Sequence, residues 1–209
     1  MKDYLLLFLI SLLPVGISAV IYLFGRTKAA EKIPYAIDQI LIGILFGILA
    51  ITGTEFGIKI DGAIINARDA SPVCAGLLFG APAGIIAGII GGVERWFAVL
   101  WGAGEYTRLA CSISTVLAGV FAAVLRKHVF DNKKPKWYYC LATAVITEVI
   151  HMLMIFLTNM SDAHRAFSFV RACSLPMVAV NGLAVMLAGI LLSVLAGKER
   201  TDSRHDLKK

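Results

Sequence analysis

The stretch "NARDASPVCAGLLFGAPAGIIAGIIGGVER", residues 66–95, decides how this chain folds. It has an arginine near each end, Arg68 and Arg95. Asp69 and Glu94 lie just inside them, and no charged residue occurs from 70 to 93. As one straight helix, the stretch between the arginines is about 40 Å long at about 1.5 Å per residue, against a hydrocarbon core of about 30 Å. Each arginine would then anchor its own face of a membrane. Glycine is dense throughout, however, and Pro82 sits near the centre, in "GAPAG" (80–84). A missing donor beside glycines permits a sharp bend there. Bent at that point, the run becomes a hairpin of two short helices, and Arg95 returns to the side on which Arg68 began.

The rest of the chain sets this run in a membrane. Of 209 residues, 58% are apolar and 16% charged, with a mean hydropathy of +0.79; soluble domains carry about 25% charged residues. Further apolar segments lie at about 4–25, 36–58, 108–125, 137–158 and 172–196. With 70–93 they make six long apolar segments, which predicts an all-α, polytopic membrane helix bundle in contact with the lipid bilayer. The first segment is longer than a signal-peptide core and meets Arg26 and Lys28, so it reads as a retained transmembrane helix. The membrane-embedded domain is expected over 1–197. A charged tail, 198–209, is too short to fold alone.

The net charge of +6 concentrates in "RKHVFDNKKPK" (126–136) and in the tail. That is the pattern of cytoplasmic loops under the positive-inside rule, and no nucleic-acid partner is expected from it. Counting lysines and arginines scores the straight and the hairpin topologies equally, so both stay open on charge alone. Cys74, Cys111, Cys140 and Cys173 lie in or beside apolar runs, without metal-type spacing or a secreted context.

Several residues are candidates for a site. Two guanidinium groups brought together repel each other unless an anion joins them, and arginine's planar fork suits a carboxylate. The competing reading is that Asp61, Asp69, Glu94 or Glu105 neutralises Arg68 and Arg95 internally. Cys111 and Ser114 are three apart on one helical face, as pocket walls or as packing beside Ala110, Ser112, Ala118 and Gly119. Glu148 and His151 are ionisable groups in an apolar run, costly in lipid, and therefore face the interior, toward a pocket or toward each other. Asn181, after Pro176, is a buried amide whose partners are a ligand or carbonyls freed by the proline. The glycines at 76, 80, 84, 88, 91 and 92 read as close helix packing. The spacing shows no nucleophile with an oriented base, no metal-ligand cluster and no phosphate loop, so no enzyme, cofactor or metal is expected.

At these residues the sequence resembles a known family. "DGAIINARDASPVCAGLLFGAPAGIIAGIIGGVER" with "ACSISTVLAG", "TEVIHMLMIFL" (147–157) and "LPMVAVNG" (175–182) is similar to the five-transmembrane receptor domain of the LytS/YhcK type, over roughly residues 36–196. Glu94 stands where that family usually has histidine and Ala67 where it often has threonine, and "AVLWGAGEYTR" is a longer loop. The resemblance implies the membrane input module of a bacterial signalling receptor, with residues 4–25 as a leading helix, and it matches the hairpin topology, in which the N-terminus and the ligand site are outside and the loops at 26–34 and 126–136 and the tail are cytoplasmic. Arg68 and Arg95 would clamp the acidic group of a small molecule such as pyruvate. Cys111, Ser114, Glu148, His151 and Asn181 would line its pocket. A second copy of the chain, and a cytoplasmic output domain reached through the tail, are the implied protein partners. No kinase, cyclase or phosphatase lies within these residues, which reads as an isolated or truncated input domain. A more distant likeness, to the substrate-binding S components of energy-coupling-factor transporters, gives the alternative of a solute-binding transporter subunit. A ligand-free scaffold is the third.

Overall fold

In a computed structural model the chain is a bundle of helices. The structure describes residues 2–25, 27–60, 63–101 and 104–206, of which 60, 63 and 198–206 are described by their backbone alone. Met1, Arg26, Asp61, Gly62, Gly102, Ala103 and 207–209 lie outside the described residues, so Asp61 as a neutraliser and the end of the tail do too.

The order is α1 Lys2–Ser11, α2 Leu13–Phe24, α3 Tyr35–Glu55, a small antiparallel pair β1 Ile58–Ile60 and β2 Ala63–Ile65, α4 Ala70–Cys74, α5 Ala81–Phe97, α6 Arg108–Val124, α7 Trp137–Thr158 and α8 Ala163–Asp206. A wider π turn extends α4 to Phe79, and another extends α6 to Val129. Six stretches are long and apolar enough to cross a membrane: Lys2–Phe24, Tyr35–Glu55, Ala81–Trp101, Glu105–Val129, Trp137–Thr158 and Met160–Gly197. The chain is therefore a multi-pass membrane bundle, as its composition predicts. Several hydroxyl groups in these spans turn back onto carbonyls of the preceding turn, as Ser18 does to Pro14 at 2.6 Å and Thr147 to Thr143 at 2.8 Å. That satisfies them where no water is present.

The run at 70–93 does fold back, but its two arms are unequal. The first is ten residues, Ala70–Phe79, and the second is a full-length span. The helices part at Gly80, where an added methyl would collide with the Gln39 side chain. Pro82 starts α5 rather than breaking it, since a first-turn residue needs no intrahelical donor. The return is tight. A Cβ on Gly84 would lie 2.5 Å from the Gly76 Cα, and one on Gly119 of α6 would meet the Gly84 carbonyl. Three backbones thus touch where side chains would hold them apart.

Other boundaries also differ from the sequence reading. The segment expected at 36–58 ends at Glu55, because Ile58 turns into the strand pair, with Ile58 opposite Ile65. The last helix, expected at 172–196, begins at Ala163, where the Asp162 carboxylate accepts from the Arg165 N–H at 3.2 Å as a cap. It continues unbroken past Gly197 into the tail.

Two apolar clusters mark the two ends of the bundle. One packs Phe46, Leu77, Leu78, Val185 and Leu192, near the loops after α2 and α6. There Lys134 Nζ sits 4.3 Å over the Tyr22 ring, and Arg126 donates to the Leu77 carbonyl. The other packs Leu7, Ile65, Met152, Ile155 and Phe169. There Trp101 Nε1 donates to Glu55 at 2.8 Å. The basic loops therefore share one end, while the strand pair and the 98–107 loop close the other.

The glycine contacts generate a prediction. Gly84→Ala should cost about 1–3 kcal/mol through overpacking and lower the melting temperature in detergent. Gly16→Ala, whose new methyl meets nothing within 4 Å, should leave it unchanged.

Candidate functional site

The loop between β2 and α4 drops into the bundle and carries the site. Gly53 of α3 lets it in: a Cβ there would lie 2.8 Å from the Arg68 backbone nitrogen and Cα. The Asn66 side chain folds the loop on itself, donating to the Ile64 carbonyl at 3.0 Å and accepting from the Arg68 N–H at 3.2 Å. Asn181 of α8 then holds both ends of the loop. Its oxygen accepts from the Ala70 N–H at 2.9 Å, and its nitrogen donates to the Asn66 carbonyl and the Met177 carbonyl, each at 3.1 Å. The amide's partners are thus loop backbone and its own helix, and the carbonyls freed by Pro176 are not among them.

Arg68 and Arg95 are both fully buried, and both lie within electrostatic range of the Cys111 side chain on α6. The hairpin has brought them together. Arg68 donates from Nε to Thr115 and to Asp69 Oδ1 (3.4 Å), and from its terminal nitrogens to the Thr54 hydroxyl (3.3 Å) and the Cys111 carbonyl (3.5 Å). Arg95 donates to the Gly104 carbonyl at 2.6 Å and to the Thr107 hydroxyl at 3.3 Å. Gly104 has φ +60°, and a side chain there would strike the guanidinium, so only glycine fits. Glu94 is half-buried and lies within electrostatic range of Arg68.

Asp69 is the hub. Its Oδ1 accepts from the Thr115 hydroxyl at 2.7 Å, and its Oδ2 lies 2.7 Å from His151 Nδ1. Burial opposes the charge on Asp69, but Arg68 and His151 beside it hold its carboxyl well below the usual carboxylate range. The other ring nitrogen of His151, Nε2, lies 3.2 Å from Cys111 Sγ. Glu148 Oε2 is 3.9 Å from His151 Nδ1, and both Glu148 oxygens are buried without a hydrogen bond among the described residues. Donor atoms of Asp69, Glu148 and His151 lie within 4.8 Å of one another, close enough to hold a metal ion.

Of the seven residues expected from the sequence, Arg68, Arg95, Cys111, Glu148 and His151 meet in one buried cluster, and Asn181 braces the loop that supplies it. Ser114 stands apart. Its hydroxyl lines an apolar cleft of about 220 Å³ between α6 and α7, with Leu117, Phe121, Thr147 and Ile150. Four participants lie outside that expectation: Thr54, Asn66, Thr107 and Thr115. Asp69 enters it only as a neutraliser of arginine. The nucleophile with an oriented base that the spacing did not reveal is present as Cys111, His151 and Asp69. Thr115, four residues after Cys111 on the same helical face, was the one signal available.

A multi-pass helical membrane domain with a charged cluster buried near one end defines the class. The sequence model of the family described as the 5TMR of 5TMR-LYT matches residues 21–194, and the chain belongs to that family. Sensor histidine kinase BtsS of Escherichia coli (strain K12) is 31% identical over 172 residues, covering 79% of this chain and 29% of that protein. Sensor protein LytS of Staphylococcus haemolyticus is 30% identical over 192 residues, covering 81% and 32%. Sensor histidine kinase YpdA of Escherichia coli (strain K12) is 23% identical over 168 residues, covering 80% and 29%. The chain thus spans about a third of the length of these curated relatives. No solved structure matches it.

Asn181 is the brace to test. Asn181→Ala leaves the Ala70 N–H and Asn66 carbonyl unsatisfied, which should cost about 1–3 kcal/mol. The loss is read as a lower melting temperature.

Proposed function

We propose that this chain is the ligand-sensing input module of a sensor histidine kinase, and that it binds a small carboxylate between Arg68 and Arg95. The observation that carries this reading is that two fully buried guanidinium groups lie within electrostatic range of each other and of Cys111. Burying a charge costs several kcal/mol, and Asp69, the carboxylate against Arg68, is shared with His151 and Thr115. A ligand carboxylate supplies further negative charge where two positive groups meet. The named relatives, a sensor protein and two sensor histidine kinases, support the signalling role. The loop that carries Arg68 is tied to α8 through Asn181, so binding would be felt in the helix that leads toward the tail. On the positive-inside rule the basic loops face the cytoplasm, and the arginine end faces out. A cytoplasmic output domain would then follow the tail.

Two measurements test this. Arg95→Lys and Arg68→Lys should each weaken binding of a small carboxylate about tenfold to a hundredfold, the effect of losing one charge-assisted contact. Calorimetry on the purified domain reads this, and a wild-type domain that binds no small carboxylate would sink the proposal. For orientation, single cysteines at Lys59 and Leu100, both exposed, should label with an impermeant external reagent, and one at Lys133 should not. The opposite pattern reverses the topology.

A further inference from the structure

Cys111, His151 and Asp69 form an arrangement that a simple charge clamp does not need. The thiol sulfur lies 3.2 Å from His151 Nε2, and His151 Nδ1 lies 2.7 Å from Asp69 Oδ2. An ionised carboxylate on Nδ1 selects the tautomer that carries its proton there, which leaves the Nε2 lone pair facing the thiol. Nucleophile, base and orienting acid stand in line, the arrangement that activates a weak nucleophile. All three are buried; Arg68 donates to the Cys111 carbonyl at 3.5 Å, and both guanidinium groups lie within electrostatic range of the thiol. The other cysteines differ: Cys74 and Cys140 sit in one apolar cluster, and Cys173 sits in the other. Beside the line, the two Glu148 oxygens are buried and lack hydrogen-bond partners among the described residues. Buried polar atoms require partners, and these two are aimed at the cluster without one.

We propose that Cys111 adds reversibly to the carbonyl carbon of a 2-oxo acid whose carboxylate the arginines hold, so that the ligand is captured as a thiohemiketal. This rests on the anion-binding reading above. His151 Nε2 takes the thiol proton as the sulfur forms a bond to the carbonyl carbon. The π pair of the C=O bond moves onto oxygen, which then takes the proton back from Nε2. The sum is addition of S–H across C=O, with nothing oxidised, reduced or released. A neighbouring guanidinium stabilises the charge that develops on oxygen. A ketone carbon carries no leaving group, so the adduct's onward path is reversal. The same three residues that would drive acyl transfer on an ester here give capture and release. Discrimination follows from the chemistry: a carboxylate without an adjacent carbonyl engages only the arginines.

The test uses the purified domain in nanodiscs with pyruvate, the smallest 2-oxo acid, labelled with carbon-13 at its carbonyl carbon. Propionate serves as the carboxylate without a carbonyl. Bound pyruvate should show a resonance in the tetrahedral region, distinct from its free hydrate and matching the adduct of pyruvate with a simple thiol. Pyruvate should bind at least about tenfold tighter than propionate, and the two should become equal in Cys111→Ser. If pyruvate binds while its labelled carbon stays in the carbonyl region, the covalent step is wrong and the arginine clamp stands. If neither acid binds, the anion site is wrong and the adduct falls with it. Should Cys111→Ser fail to fold, the wild-type resonance compared with the thiol reference decides the matter.

Discussion

Five ionisable side chains, Arg68, Asp69, Arg95, Glu148 and His151, are withdrawn from solvent inside one membrane bundle, and their mutual compensation is what the rest of the structure serves. A lone charge in such a place costs several kcal/mol, and removing one partner of a buried pair leaves the other uncompensated. Asp69 satisfies most of that demand by touching Arg68, Thr115 and His151 at once. Every other device keeps these groups at the distances that Asp69 requires.

The backbone provides the room. A first arm of ten residues is about 15 Å long, so the loop before it lies within the bundle rather than at a membrane face. A full-length first arm would have left Arg68 at the interface as an ordinary anchor. Gly53 admits the loop, and Gly84 and Gly119 draw α5 and α6 together, so that Arg95 and Cys111 face the same point. Small residues are thus architecture for polar ones. Packing that looks generic in composition sets the geometry of a charged site.

Much of this was legible in the sequence, and the reasons for the rest are physical. The bend at "GAPAG" could be read because proline and glycine restrict or free the backbone locally, and the long spans could be read because lipid sets their length. The unequal arms could not, since Asn66 through Asp69 look like an exposed polar turn until Asn181, more than a hundred residues later, is seen to hold them. The line Cys111–His151–Asp69 joins three separate elements, and no local pattern announces such a meeting. The early start of α8 was hidden by the polar residues of 163–171, which weaken the apolar signal without breaking the helix. Ser114 shows the converse: helical spacing placed it on the face of Cys111, but one turn carries it into an apolar cleft.

Asn181 gives the bundle a property that no single contact has. It grips the loop bearing Arg68 and Asp69 from the middle of the longest helix, so the position of that helix and the shape of the charged cluster share one set of hydrogen bonds. Energetic coupling between two places in a molecule is reciprocal. If an anion in the cluster biases α8, then whatever restrains α8 beyond the membrane biases the cluster's grip on the anion by the same factor. The affinity of the site is then a joint property of the cluster and of the state of the helix's far end, and it differs between a free helix and a held one.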